Sequence, residues 1–287
     1  MISRNFKVEA VMKSQKSKFL LFFAAIVSLV LSCTTTGPGG KSSFIVIPTN
    51  QEVAIGAGMA DELSKTEKTL PDALWQSYLN EVGQKIVAVC DRKDIKYHFT
   101  VIESDQVNAF AAPGGYVYFY TGLLREMKNE SEMAAVISHE ISHVVGRHSI
   151  KRVQSVMGVA LAYDLVFGGN NPSAAVDAAI GIGMGLAFAG YSRDAEREAD
   201  QYGIHYMVKA GYDPKGAIAM FETLARLGGS SSGGGFEKLA SSHPETQERI
   251  ANAKAQISSM SPLPAGLASG QTRYQTMLKR LPAKKAG

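Results

Sequence analysis

Two histidines four residues apart constrain the fold of this 287-residue chain more than any other feature of its sequence. They are His139 and His143, and Glu140 directly follows the first. Apolar residues recur around them at helical spacing, and Asn129 is suited to cap this segment, so we expect a helix over 130–147. Residues four apart share one face of a helix, which allows both imidazoles to bind one metal ion. The acid beside them is then placed to act as a general base.

A site of this kind needs a third ligand. His148 is one residue short of the position that a three-histidine pattern requires, and a continuous helix would turn it to the opposite side. Glu196 and Asp200 are better candidates, because they again lie four apart in a charged segment predicted to be helical over 192–209. We expect Glu196 to bind the metal and Asp200 to accept the free N–H of a ligand histidine. Glu198 points about 200° away from Glu196 on such a helix and is the weaker candidate.

Five motifs in this order resemble the family of zinc endopeptidases typified by HtpX and the CAAX prenyl endopeptidase, including its bacterial lipoprotein members. They lie at 108–118, 121–124, 139–148 and 192–200, and at Ser242-His243-Pro244 with Arg249. The resemblance covers roughly residues 49–257. It implies one Zn²⁺ per chain, held by His139, His143 and Glu196, with Glu140 as general base. The implied fold is α+β and zincin-like, mostly helical, with a small sheet whose edge strand flanks the helix of the two histidines.

The implied reaction is hydrolysis of peptide bonds by a zinc-activated water, with Glu140 moving the proton. The resemblance also places His243 near the active site, where it would stabilise the oxyanion or occupy the open position of the metal. A helix-capping role ahead of Pro244 is the alternative for this residue.

A strand is predicted on each side of the Pro-Gly-Gly sequence at 113–115. We expect Gly115, Tyr116, Val117 and Tyr118 to form the edge strand that binds an extended substrate through backbone hydrogen bonds. Such recognition selects an extended chain over a particular sequence. The expected substrates are therefore unfolded or misassembled proteins of the cell envelope.

The positive charge of the chain belongs to its N-terminal segment. The formal net charge is +4, but residues 1–32 contain five basic residues and one acidic residue, which leaves 33–287 formally neutral. A neutral remainder gives no support to a nucleic-acid partner.

The same N-terminal segment has the pattern of a targeting signal. Three lysines precede an apolar stretch over 19–31, which is short for a membrane span and typical of a signal peptide. Residues 1–32 are therefore predicted to be a lipoprotein signal peptide and Cys33 the lipidated residue, with a plain signal or anchor helix as the alternative. Residues 33–48 would contain this cysteine and a flexible tether. The expected location is the cell envelope, lipid-anchored at the outer membrane and facing the periplasm.

The rest of the chain divides into a zinc metallopeptidase domain over 49–258 and a basic, weakly ordered tail over 259–287. Two Gly/Ala-rich helical segments within 154–190 would cover the core or the active-site cleft, or form a membrane hairpin.

Two rival functions remain at this level. One is a non-proteolytic periplasmic chaperone or assembly factor that retains a structural zinc site. The other is a structural lipoprotein in which the two histidines have no catalytic role. The sequence does not predict the oligomeric state.

Overall fold

The computed structural model describes residues 33–35, 38–40, 42–167, 172–229, 243 and 247–284. The strands of these residues are β1 (Cys33–Thr35), β2 (Ser42–Phe44), β3 (His98–Ile102), β4 (Ala109–Ala112) and β5 (Tyr116–Tyr120). The helices in the first half of the chain are α1 (Thr49–Thr66), α2 (Ala73–Val87), α3 (Thr121–Glu126) and α4 (Glu130–Val145). They are followed by α5 (His148–Val156), α6 (Val159–Phe167), α7 (Pro172–Leu186), α8 (Arg193–Lys209), α9 (Lys215–Gly229), α10 (Gln247–Ser259) and α11 (Gln271–Leu278).

A three-stranded sheet in the order β3-β5-β4 lies at the centre of the fold. β5 is parallel to β3 and antiparallel to β4, to which it is joined by the turn Pro113–Gly115. The mostly helical fold with a small sheet agrees with the sequence-based expectation.

The predicted edge strand is wrong. Gly115 belongs to the turn, and Tyr116, Val117 and Tyr118 belong to β5, which has a partner on both sides. The chain enters the sheet through β3, forms the far edge with β4, and then turns back to fill the space between them. The edge that packs against α4 is therefore β4. This order depends on the path of the loop between β3 and β4, which strand periodicity does not encode.

The sheet separates two apolar clusters. Val117 and Phe119 of β5 face a large cluster that contains α2, α4, α8, α9 and α11. Tyr118 and Tyr120 face the second cluster, with α1 and the helices α5 to α7. Alternate side chains of a strand point to opposite faces, and here both faces are buried, so the apolar character of β5 is continuous along the strand.

Helix α8 lies directly against α4, and a glycine allows the close approach. A Cβ atom at Gly203 would lie 3.2 Å from the backbone nitrogen of His139. A larger residue would push the two helices apart by a few tenths of an ångström. The backbone of α8 is thereby held next to the two histidines of α4.

A buried ion cluster fixes the C-terminal end of α4. Glu52 of α1 accepts hydrogen bonds from both terminal nitrogens of Arg92, at 2.9 Å each, and from Nε of Arg147 at 2.7 Å. Arg92 also donates to the carbonyl of Val144 at 3.0 Å. Arg147 adopts a left-handed backbone conformation with φ of 52°. This conformation is unfavourable for a side-chain-bearing residue, and the cluster holds it in place.

The described residues of 33–48 contain strands and core contacts, which a flexible tether would lack. β1 and β2 pair in antiparallel register, and Ile45 and Ile47 are buried in the second apolar cluster. Apolar side chains that reach a core tie the backbone to it, so residues 45–47 are attached to the domain before α1 begins. The predicted signal peptide over 1–32 lies outside the described residues.

The two predicted Gly/Ala-rich segments form α6 and α7, and α7 packs against α5, α6 and α1. The contact with α1 is close, because Gly58 meets Ile180 and Gly183 meets Met59. Among the described residues, no helix combines the length and the apolar character needed to cross a bilayer.

The predicted weakly ordered tail contains a docked helix. Tyr274 of α11 is fully buried, and its hydroxyl donates to the carbonyl of Leu124 at 2.7 Å. Its ring meets Trp75 edge-on at a centroid distance of 6.1 Å. Two basic residues of the tail, Arg273 and Arg280, pair with Glu81 and Asp72 of the domain. The charge pattern of the tail predicts a weakly ordered segment. It does not reveal this docking, because the partners of Tyr274 lie in distant parts of the chain.

Replacing Tyr274 tests this docking. We expect Tyr274→Ala to lower the free energy of unfolding by about 3–5 kcal/mol, because it leaves a cavity between three helices. Tyr274→Phe should cost about 1–3 kcal/mol, because the Leu124 carbonyl loses its buried partner. Chemical denaturation measures both, with the exposed Thr276→Ala as control. Unfolding of Tyr274→Ala at the wild-type denaturant concentration would contradict the docked helix.

Candidate metal centre and catalytic site

Helix α4 presents the two histidines on its buried side. Its N-terminus is capped by Asn129, whose side chain accepts from the backbone N–H of Glu132 at 3.0 Å. The Glu132 side chain in turn accepts from the backbone N–H of Lys128 at 2.9 Å. The pattern differs from a capping box by one residue, because Glu132 accepts from the N–H before the N-cap rather than from that of the N-cap itself. The imidazoles of His139 and His143 lie one turn apart with ring centroids 4.7 Å from each other.

Four side chains converge at this point. Nε2 of His139 and Nε2 of His143 are 3.0 Å apart, and the carboxylate of Glu196 from α8 lies 3.5 Å and 3.4 Å from them. Nδ1 of His243 lies 3.2 Å from His139 Nε2 and 2.9 Å from Glu196. All four residues are buried, and their ligand atoms lie within 4.8 Å of one another.

This donor set fits a metal ion. His139 Nε2 faces two other ring nitrogens and a carboxylate, and a single proton on it could not satisfy all three. A shared cation would satisfy every donor at once. Ligands of a tetrahedral ion, at bond lengths of about 2.0–2.2 Å, are separated by about 3.3–3.6 Å, close to the distances found here.

The charge states of the group also suit a metal. Burial holds the pKa of His143 well below its usual value, which keeps the imidazole neutral and able to coordinate. Burial opposes ionisation of Glu196, but His243 and His143 outweigh it and hold the pKa of this carboxyl well below its usual range. Burial also opposes protonation of His243, yet Glu196 and Glu140 raise its pKa to about 9. The site therefore attracts positive charge.

Glu140 lies beside the donor cluster without being part of it. Its Oε1 is 3.6 Å from Nε2 of His243, and its Oε2 has no hydrogen-bond partner among the described residues. Burial raises the pKa of this carboxyl, although His243 and His139 oppose the rise. A buried carboxylate with a free oxygen and an elevated pKa suits proton transfer.

Asp200 lies behind His139, one turn after Glu196 on α8. Its Oδ1 is 2.9 Å from Nδ1 of His139, and its two oxygens accept from Arg249 at 2.7 Å each. Burial raises the pKa of Asp200, but Arg249 and His139 more than offset it, so the pKa is lowered overall. The structure thus brings Asp200 to the position expected of a residue that orients a ligand.

His148 does not face away from the site as helical geometry predicts. Helix α4 ends at Val145, and the left-handed Arg147 turns the chain before α5 begins. His148 therefore points back, and its Nδ1 lies 2.8 Å from Nδ1 of His143. Glu198 lies 3.0 Å from the other nitrogen of His148. Sequence reasoning missed this pair because it assumed a continuous helix.

An apolar cavity opens beside His139 and Glu140. Its volume is about 40 Å³. The apolar side chains that line it include Val136, Ile204, Met207, Met220, Phe221 and Leu224. Arg249 closes one side, with its guanidinium 4.6 Å from the ring centre of Phe221.

Comparison with known proteins identifies a family and several relatives. Residues 73–257 match Peptidase family M48. The beta-barrel assembly-enhancing protease of Escherichia coli strain K12 is 28% identical over 240 residues, which are 81% of this chain and 49% of that protein. A mitochondrial metalloendopeptidase of Schizosaccharomyces pombe is 32% identical over 173 residues, or 60% of this chain and 50% of the relative. Metalloprotease YcaL of Escherichia coli is 32% identical over 164 residues, which are 56% of this chain and 63% of that protein. The chain spans about half the length of the first two relatives.

Proposed function

The chain belongs to peptidase family M48, and from this premise we propose that it is a zinc-dependent endopeptidase that hydrolyses unfolded or misassembled cell-envelope proteins. The observation that carries the proposal is the convergence of His139, His143 and Glu196 next to the carboxylate of Glu140. Two imidazoles and one carboxylate are a typical ligand set for catalytic zinc.

The ion would be held by His139, His143 and Glu196. When bound, zinc supplies Lewis-acid polarisation of the scissile carbonyl and activation of a water molecule. The chain supplies the proton transfer. Glu140 would accept the proton of the attacking water on its free oxygen and deliver it to the nitrogen of the departing peptide. Burial favours this exchange because it raises the proton affinity of the carboxylate.

His243 lies between Glu140 and the other members of the donor cluster. Nδ1 faces Glu196 and His139, while Nε2 faces Glu140. This position supports a role as fourth metal ligand over a role in stabilising the oxyanion, because the ring fills the space that a water molecule would need. The conformation described here would then be a closed one, and substrate access would require His243 to withdraw.

Substrate would bind along β4 rather than along the strand that the sequence suggested. The backbone carbonyl of Asn108 accepts from the N–H of Tyr120 at 3.0 Å. The alternation of an antiparallel pair then directs the backbone groups of Ala109 and Ala111 away from β5. The Ala111 carbonyl accepts from Ser149 Oγ at 3.1 Å, a contact that a substrate amide could replace. Binding by strand addition requires an extended peptide and thus favours unfolded chains.

The apolar cavity supports the same class of substrate. It adjoins His139 and Glu140, so a side chain next to the scissile bond could enter it. Folded proteins bury most of their large apolar side chains, whereas unfolded and misassembled ones expose them. A cavity lined by Ile204, Met220 and Phe221 would therefore favour unfolded chains, in addition to the preference that strand addition along β4 gives.

The cellular setting is proposed from the N-terminal pattern and from one relative. Residues 1–32 have the features of a lipoprotein signal peptide, with Cys33 as the lipidated residue. The name of the Escherichia coli relative associates that protein with β-barrel assembly. We propose on these grounds that this chain lies in the envelope, anchored by lipid at the outer membrane and facing the periplasm.

Replacement of the proposed general base tests the mechanism. We expect Glu140→Gln to lower kcat for cleavage of an unfolded protein such as casein by about 10²–10⁴-fold, because the amide cannot accept the proton. The variant should retain zinc, as measured by elemental analysis, because Glu140 is not a ligand. Asp194→Asn, an exposed change on α8, serves as the control.

Equal cleavage by wild type and Glu140→Gln would contradict the mechanism. Zinc-loaded wild type that cleaves no unfolded protein would instead favour a non-proteolytic assembly factor with a structural metal.

Val136→Ala tests the role of the cavity. Val136 is partly exposed at the cavity wall, so its truncation should enlarge the cavity at little cost in stability. We expect the preference for large over small apolar residues next to the scissile bond to rise by about 10-fold, since one or two methylene groups are worth about 1–3 kcal/mol in such pockets. Sequencing of the products from a peptide library measures this ratio. An unchanged ratio would show that the cavity does not receive the substrate.

A further inference from the structure

A row of hydrogen-bonding side chains begins at Nδ1 of His143, the ring nitrogen that faces away from the other metal donors. This nitrogen lies 2.8 Å from Nδ1 of His148, and Nε2 of His148 lies 3.0 Å from Glu198 of α8. Only 5% of the His148 side chain and 15% of the Glu198 side chain are exposed. The expected role of Asp200 is to orient His139, and Asp200 does not reach His143. The orientation of His143 is thus left without an assigned partner.

The directions of the hydrogen bonds in this row follow from its carboxylate. An ionised carboxylate only accepts, so Nε2 of His148 must carry the proton that bonds to Glu198. The Nδ1 of a neutral His148 is then an acceptor and can only receive the N–H from Nδ1 of His143. This arrangement leaves the Nε2 of His143 unprotonated, and Nε2 is the atom that faces His139 and Glu196.

The surrounding structure holds the three groups in line. The left-handed turn at Arg147, which the Glu52 cluster holds in place, directs His148 back toward His143. Tyr191 stacks on the His143 ring at a centroid distance of 4.0 Å and an interplanar angle of 17°. The hydroxyl of Tyr191 lies 2.7 Å from Ser149 Oγ, and this hydrogen bond fixes the orientation of the Tyr191 ring.

We infer that His148 and Glu198 are positioning residues for the metal centre, which select the tautomer of His143 and direct its Nε2 to the ion. Helix α8 would then serve both histidines, through Asp200 behind His139 and through Glu198 behind His143, while Glu196 binds the ion itself. The inference rests on the metal site of the proposed function, but not on the identity of any substrate.

Zinc affinity of the full-length protein tests the inference. We expect Glu198→Ala and His148→Ala to weaken zinc binding by about 10–100-fold, as the loss of such orienting partners does in other metal sites. Glu198→Gln should retain most of the affinity, because its amide oxygen still accepts the N–H of His148. Competition with a chromophoric chelator measures the dissociation constants without any use of peptidase activity.

The exposed Asp194→Ala on the same helix is the matched control and should bind zinc as the wild type does. Glu196→Ala, which removes a ligand, gives the reference for a broken site. Wild-type affinity in both Glu198→Ala and His148→Ala would overturn the inference. Failure of the wild type to bind zinc would instead overturn the proposed function.

Thermal unfolding separates positioning from a general structural role. A positioning residue should leave the melting temperature of the metal-free protein near its wild-type value and reduce the rise that zinc produces, because that rise reports affinity for the native state. The conservative Glu198→Gln should restore most of the rise. An equal fall in melting temperature with and without zinc in Glu198→Ala would show a structural role only and overturn the inference.

Discussion

The close packing of α8 against α4 is the contact on which the site depends. Gly203 allows the two backbones to approach next to His139, and this approach brings Glu196 within 3.5 Å of both histidines. Neither helix contains a complete donor set. The metal centre is therefore a tertiary feature, and the Glu52 cluster and the sheet contribute by fixing α4 on its other sides.

The packing of the two helices buries three carboxyl groups, and their surroundings shift their pKa values in different directions. Glu196 and Asp200 remain ionised in the interior because histidines and Arg249 stabilise their charges, while the carboxyl of Glu140 has weaker support and a raised pKa. One helix turn thus supplies carboxylates that stay charged, and the neighbouring helix supplies one that exchanges protons more readily. The different environments of these similar side chains match the three roles proposed for them, which are a ligand, an orienting group and a base.

Much of the site could be predicted from the sequence, because its main pairs are local. The spacing of four between His139 and His143, and between Glu196 and Asp200, places each pair on one helix face. The order of strands in the sheet, the docking of Tyr274 and the return of His148 could not be predicted in this way. They depend on a loop path, on contacts between distant segments, and on a left-handed residue held by a remote carboxylate.

Diffraction at the zinc absorption edge from crystals of the zinc-loaded protein tests the central claim most directly. One anomalous peak is expected, at about 2.0–2.2 Å from Nε2 of His139, Nε2 of His143 and a carboxylate oxygen of Glu196. The absence of a peak from this cluster, with the four side chains hydrogen-bonded to one another, would contradict a metal centre at this place. So would a peak at which any of these three residues is not a ligand.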